Sequence, residues 1–471
     1  MTLAALDGAP LATPTIPEPP LAFHDPDLTP FTPNERPTFR SARRNFLENW
    51  PPAAYREGVW SLPGLWPIVP KTVYLTDPEL IEEMLVTRAE FFPRDILTVR
   101  SLSRAFLTDD ALISRDSKWL RRALAGAFRH ENLLALVPTF SRCAKQQCDS
   151  WRRERPTRPV DIMQATSEVT FSVVESAMLG ATGAFEREKY LAALSSGLSA
   201  HGWYRMLALF GLPTWLPFPG SSKINRDMRY LYNETARLVG ARRADGAQGR
   251  AIADLLLSAK DPETGRSLTD SELVSNLYGL IVAGHETSAV ALGWSLWLLA
   301  KDQRSQQRLR AEIRDIAGEA DIDPDTVEKL PFAKQVIQEA MRLFPPAGAL
   351  GRQPREDTTL GPNKVSKKEP IFVAIWALHR HQKIWDAPNA FDPDRFAPEK
   401  TRARHRCAYL PFGAGPRICA GMNFAMLEMI AILATLARDF RFAPVEGHRL
   451  ELAPDFTTRP RGPLPLQIDP I

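Results

Sequence analysis

A single large, mainly α-helical domain with a small β-sheet region is the fold class that this 471-residue sequence predicts. Three observations predict it. Long stretches from Asp77 onward follow a helical apolar pattern, whereas strand candidates are few and short. No internal repeat, low-complexity tract or Gly/Ser linker divides the chain. Length at roughly 150 residues per domain would suggest about three domains, but without dividers one large core is the better fit.

In chain order, nine of the 41 prolines lie before Thr38. Residues 1–38 therefore form no ladder or long helix and are expected as an extended arm on the surface, with one domain over 39–471. Prolines interrupt the apolar residues from Val59 to Thr76, where Val73 to Thr76 (VYLT) reads as a strand. Asp77-Pro78 then starts a helix, because Asp suits the N-cap and proline at the first helical position gives up no needed N–H. Further helices are expected over Asp116–Phe128, Pro138–Arg153, Ile162–Leu179, Ser222–Arg243, Asp270–Ala300, Asp302–Ile316, Pro331–Leu343 and Ala420–Phe440. Strands return near Ile371–Ala374 and at the C-terminus.

Gly279 to Ala300 is long enough to span a bilayer, but His285, Glu286, Thr287 and Ser288 sit together inside it. An ionisable cluster is costly in lipid, so the stretch reads as the buried central helix of a large domain. The N-terminus has neither a basic region followed by a long apolar run nor a spanning anchor, and a cytoplasmic location is expected. Lys plus Arg is 59 and Asp plus Glu is 55, a net charge of +4 that excludes a nucleic-acid coat. The four cysteines, Cys143, Cys148, Cys407 and Cys419, fit neither a disulfide scaffold nor a zinc quartet.

The chemistry concentrates near the C-terminus. Phe412-Gly-Ala-Gly-Pro-Arg-Ile-Cys419-Ala-Gly421 is a Gly/Pro-rich loop that leads into an apolar helix. A cysteine at a helix N-terminus meets free backbone N–H groups and the positive end of the dipole, which favour thiolate. Such a thiolate is either a nucleophile or a metal ligand; the plainer alternative is a buried cysteine in an irregular loop.

Phe412, Gly413, Gly415, Arg417, Cys419 and Gly421 match every fixed position of F-G-x-G-x-R-x-C-x-G, and on this match the chain resembles the cytochromes P450. The resemblance implies haem b as cofactor and O2 as co-substrate, with Cys419 the axial ligand of the haem iron. It implies that Gly413, Gly415 and Gly421 bring backbone N–H groups toward the sulfur, that Phe412 shields the proximal face, and that Arg417 pairs a propionate.

Three more segments occur in the family's order. Glu339-Ala-Met-Arg342 matches E-x-x-R, whose spacing puts both charges on one helix face. Phe391 to Phe396 resembles the segment that adds Arg395, and the three charges are expected as a buried network around the haem-side loop. Ala283-Gly-His-Glu-Thr-Ser288 resembles the oxygen-activation motif. By that resemblance Ala283 borders the cofactor, and Gly284 leaves room for dioxygen and a helix bulge. Thr287 holds the oxygen being activated, Glu286 relays protons toward it, and His285 is left to solvent or packing; a capping or solvated Glu-Thr pair is the plainer reading.

The family's W-x-x-x-R is broken here: Ser117 falls at the tryptophan position, Trp119 comes two residues late, and Arg121 is left as the propionate candidate. Whether Arg121 or its neighbour Arg122 makes that contact stays open. Arg352 resembles a propionate arginine sent from a strand, although both could equally be surface charge.

The resemblance runs from about Phe39, with its specific motifs between Tyr278 and Gly421. It implies a monooxygenase that inserts one atom of O2 into a C–H or C=C bond of a medium-sized, mostly hydrophobic substrate: a fatty acid, terpenoid, steroid or aromatic. A peroxygenase or isomerase on the same fold, or a non-catalytic haem sensor, are the alternatives. No flavin or ferredoxin-like domain follows Cys419, so the expected partners are a separate ferredoxin and its NAD(P)H-driven reductase. They are expected to dock on a basic face built from Arg402, Arg404, His405, Arg406, Arg121, Arg122 and Arg129. Substrate contacts are expected in Pro93–Asp110, Leu198–Pro219, Tyr278–Ala283, Ala347–Leu350 and Phe456-Thr457. The apolar Leu198–Pro219 stretch suits either an access lid or a membrane-touching surface. A monomer is expected.

Overall fold

The computed structural model describes residues 25–28, 47, 50–62, 71–94, 111–112, 118–154, 158–180, 185–200, 202–204, 207, 212–213, 215–246, 249–453 and 457–471. Ser117, Phe456 and the 95–110 part of one expected substrate stretch lie outside them, as does most of the proline-rich arm. The described part of that arm is not extended. Residues Pro26–Leu28 form a 3-10 turn with Leu28 fully buried. Asp25 and Asp27 both pair with Lys301 Nζ, at 2.8 and 2.7 Å, which ties the arm to the end of the central helix.

Strands β1 (Val59–Leu62) and β2 (Thr72–Leu75) pair antiparallel, with Trp60 stacked on Tyr74 across the strands at 4.1 Å. Asp77 caps α1 (Pro78–Glu82) by accepting from the Glu79 and Leu80 amides, as its position before proline predicts. A π-helical turn, Glu83–Thr87, continues it. The helices α2 (Lys118–Ala125) and α3 (Val137–Glu154) follow. After β3 (Val160–Asp161), Asp161 caps α4 (Ile162–Val173) and also accepts from Leu464 N at 3.0 Å. The expected helix to Leu179 instead changes to a π-helical turn at Val174–Met178. Helix α5 (Arg187–Ser199) was not legible in the pattern; α6 (Ser221–Ala244) was.

Helix α7 (Asp270–Lys301) starts on a capping box: Thr269 Oγ1 accepts from Glu272 N, and Glu272 returns to Thr269 N. Every residue from Ser288 to Ala300 is buried, so this C-terminal part of α7 is surrounded on all sides. Trp294 stacks on Phe344 at 4.1 Å and satisfies its indole N–H on the Thr458 carbonyl at 2.8 Å. Among the described residues no helix is long and apolar enough to cross a membrane.

Asp302 caps α8 (Gln303–Ala317), and proline opens α9 (Pro331–Leu343). Strands β4 (Leu350–Arg352), the β5–β6 hairpin (Thr358–Leu360, Asn363–Val365) and β7 (Ile371–Val373) then precede α10 (Met422–Asp439). Strand β7 joins β2 in parallel and β4 antiparallel, for a sheet order β1-β2-β7-β4. Strands β8 (Phe440–Pro444) and β9 (Pro465–Pro470) close a second sheet, β3-β9-β8. Helices α7, α9 and α10 pack on one another in the main core, while a smaller core under the first sheet holds Leu85, Phe92, Cys407 and Leu410. The glycine loop lies between the two cores.

Candidate active site

The loop before α10 is shaped by its own backbone. Gly413 N donates to Leu410 O at 3.2 Å, Ile418 N to Gly415 O at 3.0 Å, and Cys419 N reaches back to Phe412 O at 2.9 Å. Gly413 and Gly415 both have φ of +72°. At Gly415 a Cβ would lie 1.9 Å from the Leu85 carbonyl oxygen in the π-helical turn, so only glycine lets these two backbones meet. Gly415→Ala is expected to cost at least about 2 kcal/mol from the left-handed backbone and the clash together. A thermal or denaturant midpoint unchanged from wild type would show that the contact is unimportant.

Cys419 is the exposed cysteine; Cys143, Cys148 and Cys407 are buried. Its sulfur opens onto accessible space but is ringed by protein. Burial accordingly pushes the thiol up, opposed by the Gly421 amide at the N-cap of α10 and by the Arg121 guanidinium. Arg121 of α2 also donates to the Ile418 carbonyl at 2.8 Å. Arg417 donates to Phe92 O at 3.1 Å and so ties the loop to the segment after α1. Phe412 packs against the main core. Arg352 is buried on β4, with Nη1 on the Gly351 carbonyl at 2.8 Å.

Trp119 lies under the Arg266 guanidinium at 3.8 Å, away from any role beside Arg121. Arg122 makes two bonds, at 2.8 and 3.1 Å, to Asp261 and holds that carboxyl far below the usual range. This engagement leaves Arg121 as the arginine of the pair that reaches the loop.

On α7 the acid and the alcohol are both engaged. Thr287 Oγ1 donates to the Ala283 carbonyl at 2.7 Å. Glu286 is buried, accepts from Thr457 Oγ1 at 2.9 Å, and pairs with Arg459 Nε at 3.3 Å. The expected bulge at Gly284 is not present: α7 is unbroken α-helix there, and the π-helical turns lie instead at Glu83–Thr87 and Val174–Met178. A Cβ on Gly284 would come within 2.9 Å of Met178 Cε, so this glycine accommodates the second of those turns.

His285 packs rather than meeting solvent. Its Nε2 donates to the Ser167 carbonyl at 3.0 Å, its ring stands edge-on to Phe171 at 5.7 Å, and burial pushes its pKa down. Glu286, His285, Ser167, Glu168 and Arg459 line a cavity of about 430 Å³. Across the helix, Glu428 of α10 is fully buried, and burial pushes its carboxyl up to about 8 against the opposing hydroxyl of Ser288.

Glu339, Arg342 and Arg395 come together in a buried charged network. Glu339 and Arg342, both fully buried, share two bonds of 2.7 Å. Arg342 also donates to the carbonyls of His379, Pro388 and Ala390 at 2.7–2.8 Å. Arg395 Nε stands 3.4 Å from Glu339 Oε1, and its Nη2 holds the carbonyl of Ala387. Ala387, at φ +43°, is the one non-glycine residue in the left-handed region among the described residues. His379 extends the network to the glycine loop by accepting from Leu410 N at 2.9 Å. Burial and the two neighbouring arginines keep that imidazole neutral, its pKa pushed down to about 3.

The expected basic face is thinner than the sequence implies. Arg404 is turned inward over Trp385 at 4.2 Å and donates to Arg395 O, and Arg122 is spent on Asp261. His405 and Arg406 pair with Glu82; Arg402 and Arg129 are exposed. Sequence reasoning missed Thr457 and Arg459 as partners of Glu286, and His379 as the link to the loop. Nothing in local spacing signals contacts between segments this far apart.

The fold and this loop define a large, mainly helical protein with an exposed cysteine at a helix N-terminus, and comparison with known proteins fixes the family. The cytochrome P450 family profile matches residues 55–467. Human cytochrome P450 4F12 is 30% identical over 454 residues, covering 89% of this chain and 84% of its own. From Streptomyces melanosporofaciens, cyclooctat-9-en-7-ol 5-monooxygenase is 30% identical over 405 residues, with 85% and 86% covered. Cyclooctatin synthase, from the same organism, is 28% identical over 407 residues, with 85% and 87% covered. The chain belongs to the cytochrome P450 family and is a monooxygenase, a membership that implies haem iron and O2.

Proposed function

We propose that this enzyme holds haem b through Cys419 and inserts one oxygen atom of O2 into a medium-sized hydrophobic substrate, a fatty acid or terpenoid ahead of a steroid or aromatic. The observation that carries the reading is the accessible Cys419 thiol on a glycine loop at the N-terminus of α10, while the other three thiols are buried. Cys407, twelve positions earlier, is fully buried in the smaller core and so faces no open space that a porphyrin could occupy. The surroundings fit an iron porphyrin: an accessible soft donor, Arg121 and Arg417 bound into its loop as cations for the two carboxylates, and a crossing helix that carries Ala283 and Gly284. When bound, the haem supplies O2 binding and activation, with the thiolate pushing electron density toward the iron. Gly413 and Gly421 present backbone to the sulfur side, Phe412 shields it, and Arg352 remains a propionate candidate.

The chain's own contribution is proton handling. Glu286 takes protons from the polar cavity it shares with Arg459 and passes them toward Thr287. The Thr287 hydroxyl hands them to the oxygen being activated, and Thr457 and Arg459 hold the carboxylate in place meanwhile. This acid–alcohol pair favours O2 chemistry over a peroxide-driven reaction, which does not need it, and over a sensor without turnover. The Streptomyces relative is named for oxygenation of cyclooctat-9-en-7-ol, which supports a hydrophobic substrate. The exposed Trp215 and Leu212, at 72% and 42%, suit an apolar access surface or weak membrane contact. Electrons come from a separate ferredoxin and reductase that meet the exposed Arg402, Arg406 and Arg129. The catalytic domain spans 39–471 and acts as a cytoplasmic monomer.

Thr287→Ala tests the relay. It should keep the substrate-induced spin shift while product formed per electron falls by about 10-fold or more and peroxide rises correspondingly. Thr287→Ser should restore most of the coupling. Unchanged yield per electron in Thr287→Ala would remove Thr287 from the path.

A further inference from the structure

Among the described residues, one cluster of metal-ligating side chains lies outside the proposed haem site. Glu82 ends α1, and His405 and Cys407 stand two residues apart at a 3-10 turn in the segment that runs into the glycine loop. One ligand atom from each lies within 4.8 Å of the other two. His405 Nε2 is 3.0 Å from Glu82 Oε2, and His405 Nδ1 accepts from the Cys407 amide at 3.1 Å. Because an amide N–H can only donate, the imidazole proton sits on Nε2, between the ring and the carboxylate. Arg406 pairs with the other carboxylate oxygen, Oε1, and leaves Oε2 to His405. Cys407 is fully buried in the smaller core, Glu82 is half-buried, and His405 is exposed, so the cluster is open to solvent on the histidine side.

We propose that Glu82, His405 and Cys407 form a binding site for a zinc-class divalent ion, distinct from the haem. Thiolate, imidazole and carboxylate make a mixed donor set that suits Zn²⁺, and three protein ligands leave a fourth, tetrahedral position to water on the exposed side. The ion takes the place of the proton shared by His405 Nε2 and Glu82 Oε2. That proton moves to Nδ1, which gives up its bond from the Cys407 amide, and the Cys407 thiol releases its proton to solvent. Binding therefore frees one proton per ion. The divalent ion balances the carboxylate and the thiolate, and Arg406 stays on Oε1. The ion would join α1 to the segment entering the loop, alongside the backbone contact of Leu85 with Gly415.

The test uses the haem-loaded, chelator-treated full chain titrated with Zn²⁺ against a chromophoric chelator. One ion per chain should bind, and Cys407→Ser and His405→Asn should each weaken it by at least about 10-fold. Zinc-edge X-ray absorption should find one sulfur at about 2.3 Å and nitrogen or oxygen at about 2.0–2.1 Å. The sulfur shell should vanish in Cys407→Ser, while the reduced carbon monoxide spectrum of the zinc-loaded wild type keeps its thiolate band. His405→Asn alters an exposed side chain, so its loss of zinc is not a loss of fold. No stoichiometric zinc below micromolar concentration, a sulfur shell that survives Cys407→Ser, or undiminished affinity in His405→Asn would each overturn the proposal.

Discussion

Cys419→Ser is expected to abolish the strongly red-shifted Soret band of the reduced carbon monoxide complex and to reduce product formation below detection. The effect is large because one atom is exchanged at the position argued to ligate iron: an alcohol oxygen is a harder, weaker donor than a thiolate. The other cysteines cannot compensate. Cys143, Cys148 and Cys407 are buried, and burial pushes the latter two thiols up to about 12 and about 11. The loop itself should survive, since its shape rests on the Cys419 amide to Phe412 and the Ile418 amide to Gly415, neither of which involves the sulfur. Haem content and circular dichroism measured beside the spectrum separate ligand loss from misfolding. A haem-loaded, folded Cys419→Ser protein that retains the band would refute the assignment, and Cys407→Ser supplies the matched control that should retain it.

Glu339→Gln is the substitution expected to cost most in stability, about 3–5 kcal/mol, because it leaves the Arg342 charge buried without its counter-ion. Arg342 is fully buried and donates to Glu339 and to three carbonyls from the 379–390 segment. Losing the carboxylate also leaves Arg395 and the Asp392 amide short of a partner. The disturbance should travel through His379 to Leu410 and loosen the loop, so haem retention falls together with the unfolding midpoint. A loss below about 1 kcal/mol, with haem retained, would reduce the network to a dispensable one, as exposed pairs commonly are. An Arg404 substitution makes a comparison, since that side chain stacks on Trp385 and donates only to Arg395 O in this region.

Much of this site was legible because its requirements are local. A glycine is needed wherever backbone meets backbone, as at Gly415 and Leu85, and E-x-x-R spacing places Glu339 and Arg342 on one helix turn wherever the helix lies. Caps are equally local, and Asp77, Thr269 and Asp302 begin their helices as their types suggest. Trp119 shows the limit: its number gave a shifted motif, but only the fold reveals that it serves Arg266 instead. Arg404 reads as surface charge in a basic run and is in fact turned onto aromatic rings.

By itself, the sequence determined the helical class, the glycine loop with Cys419, and an acid beside an alcohol on a buried helix. Each follows from constraints carried by residues within about one or two turns of each other. Only the tertiary structure decided what Glu286 touches, because Thr457 and Arg459 arrive from the C-terminal segment. It also decided that α7 stays regular at Gly284 and that four of the arginines expected on the basic face, Arg121, Arg122, Arg404 and Arg406, turn to carbonyls or carboxylates. Those outcomes depend on which buried polar groups need partners once distant segments pack, a condition that exists only in the folded chain.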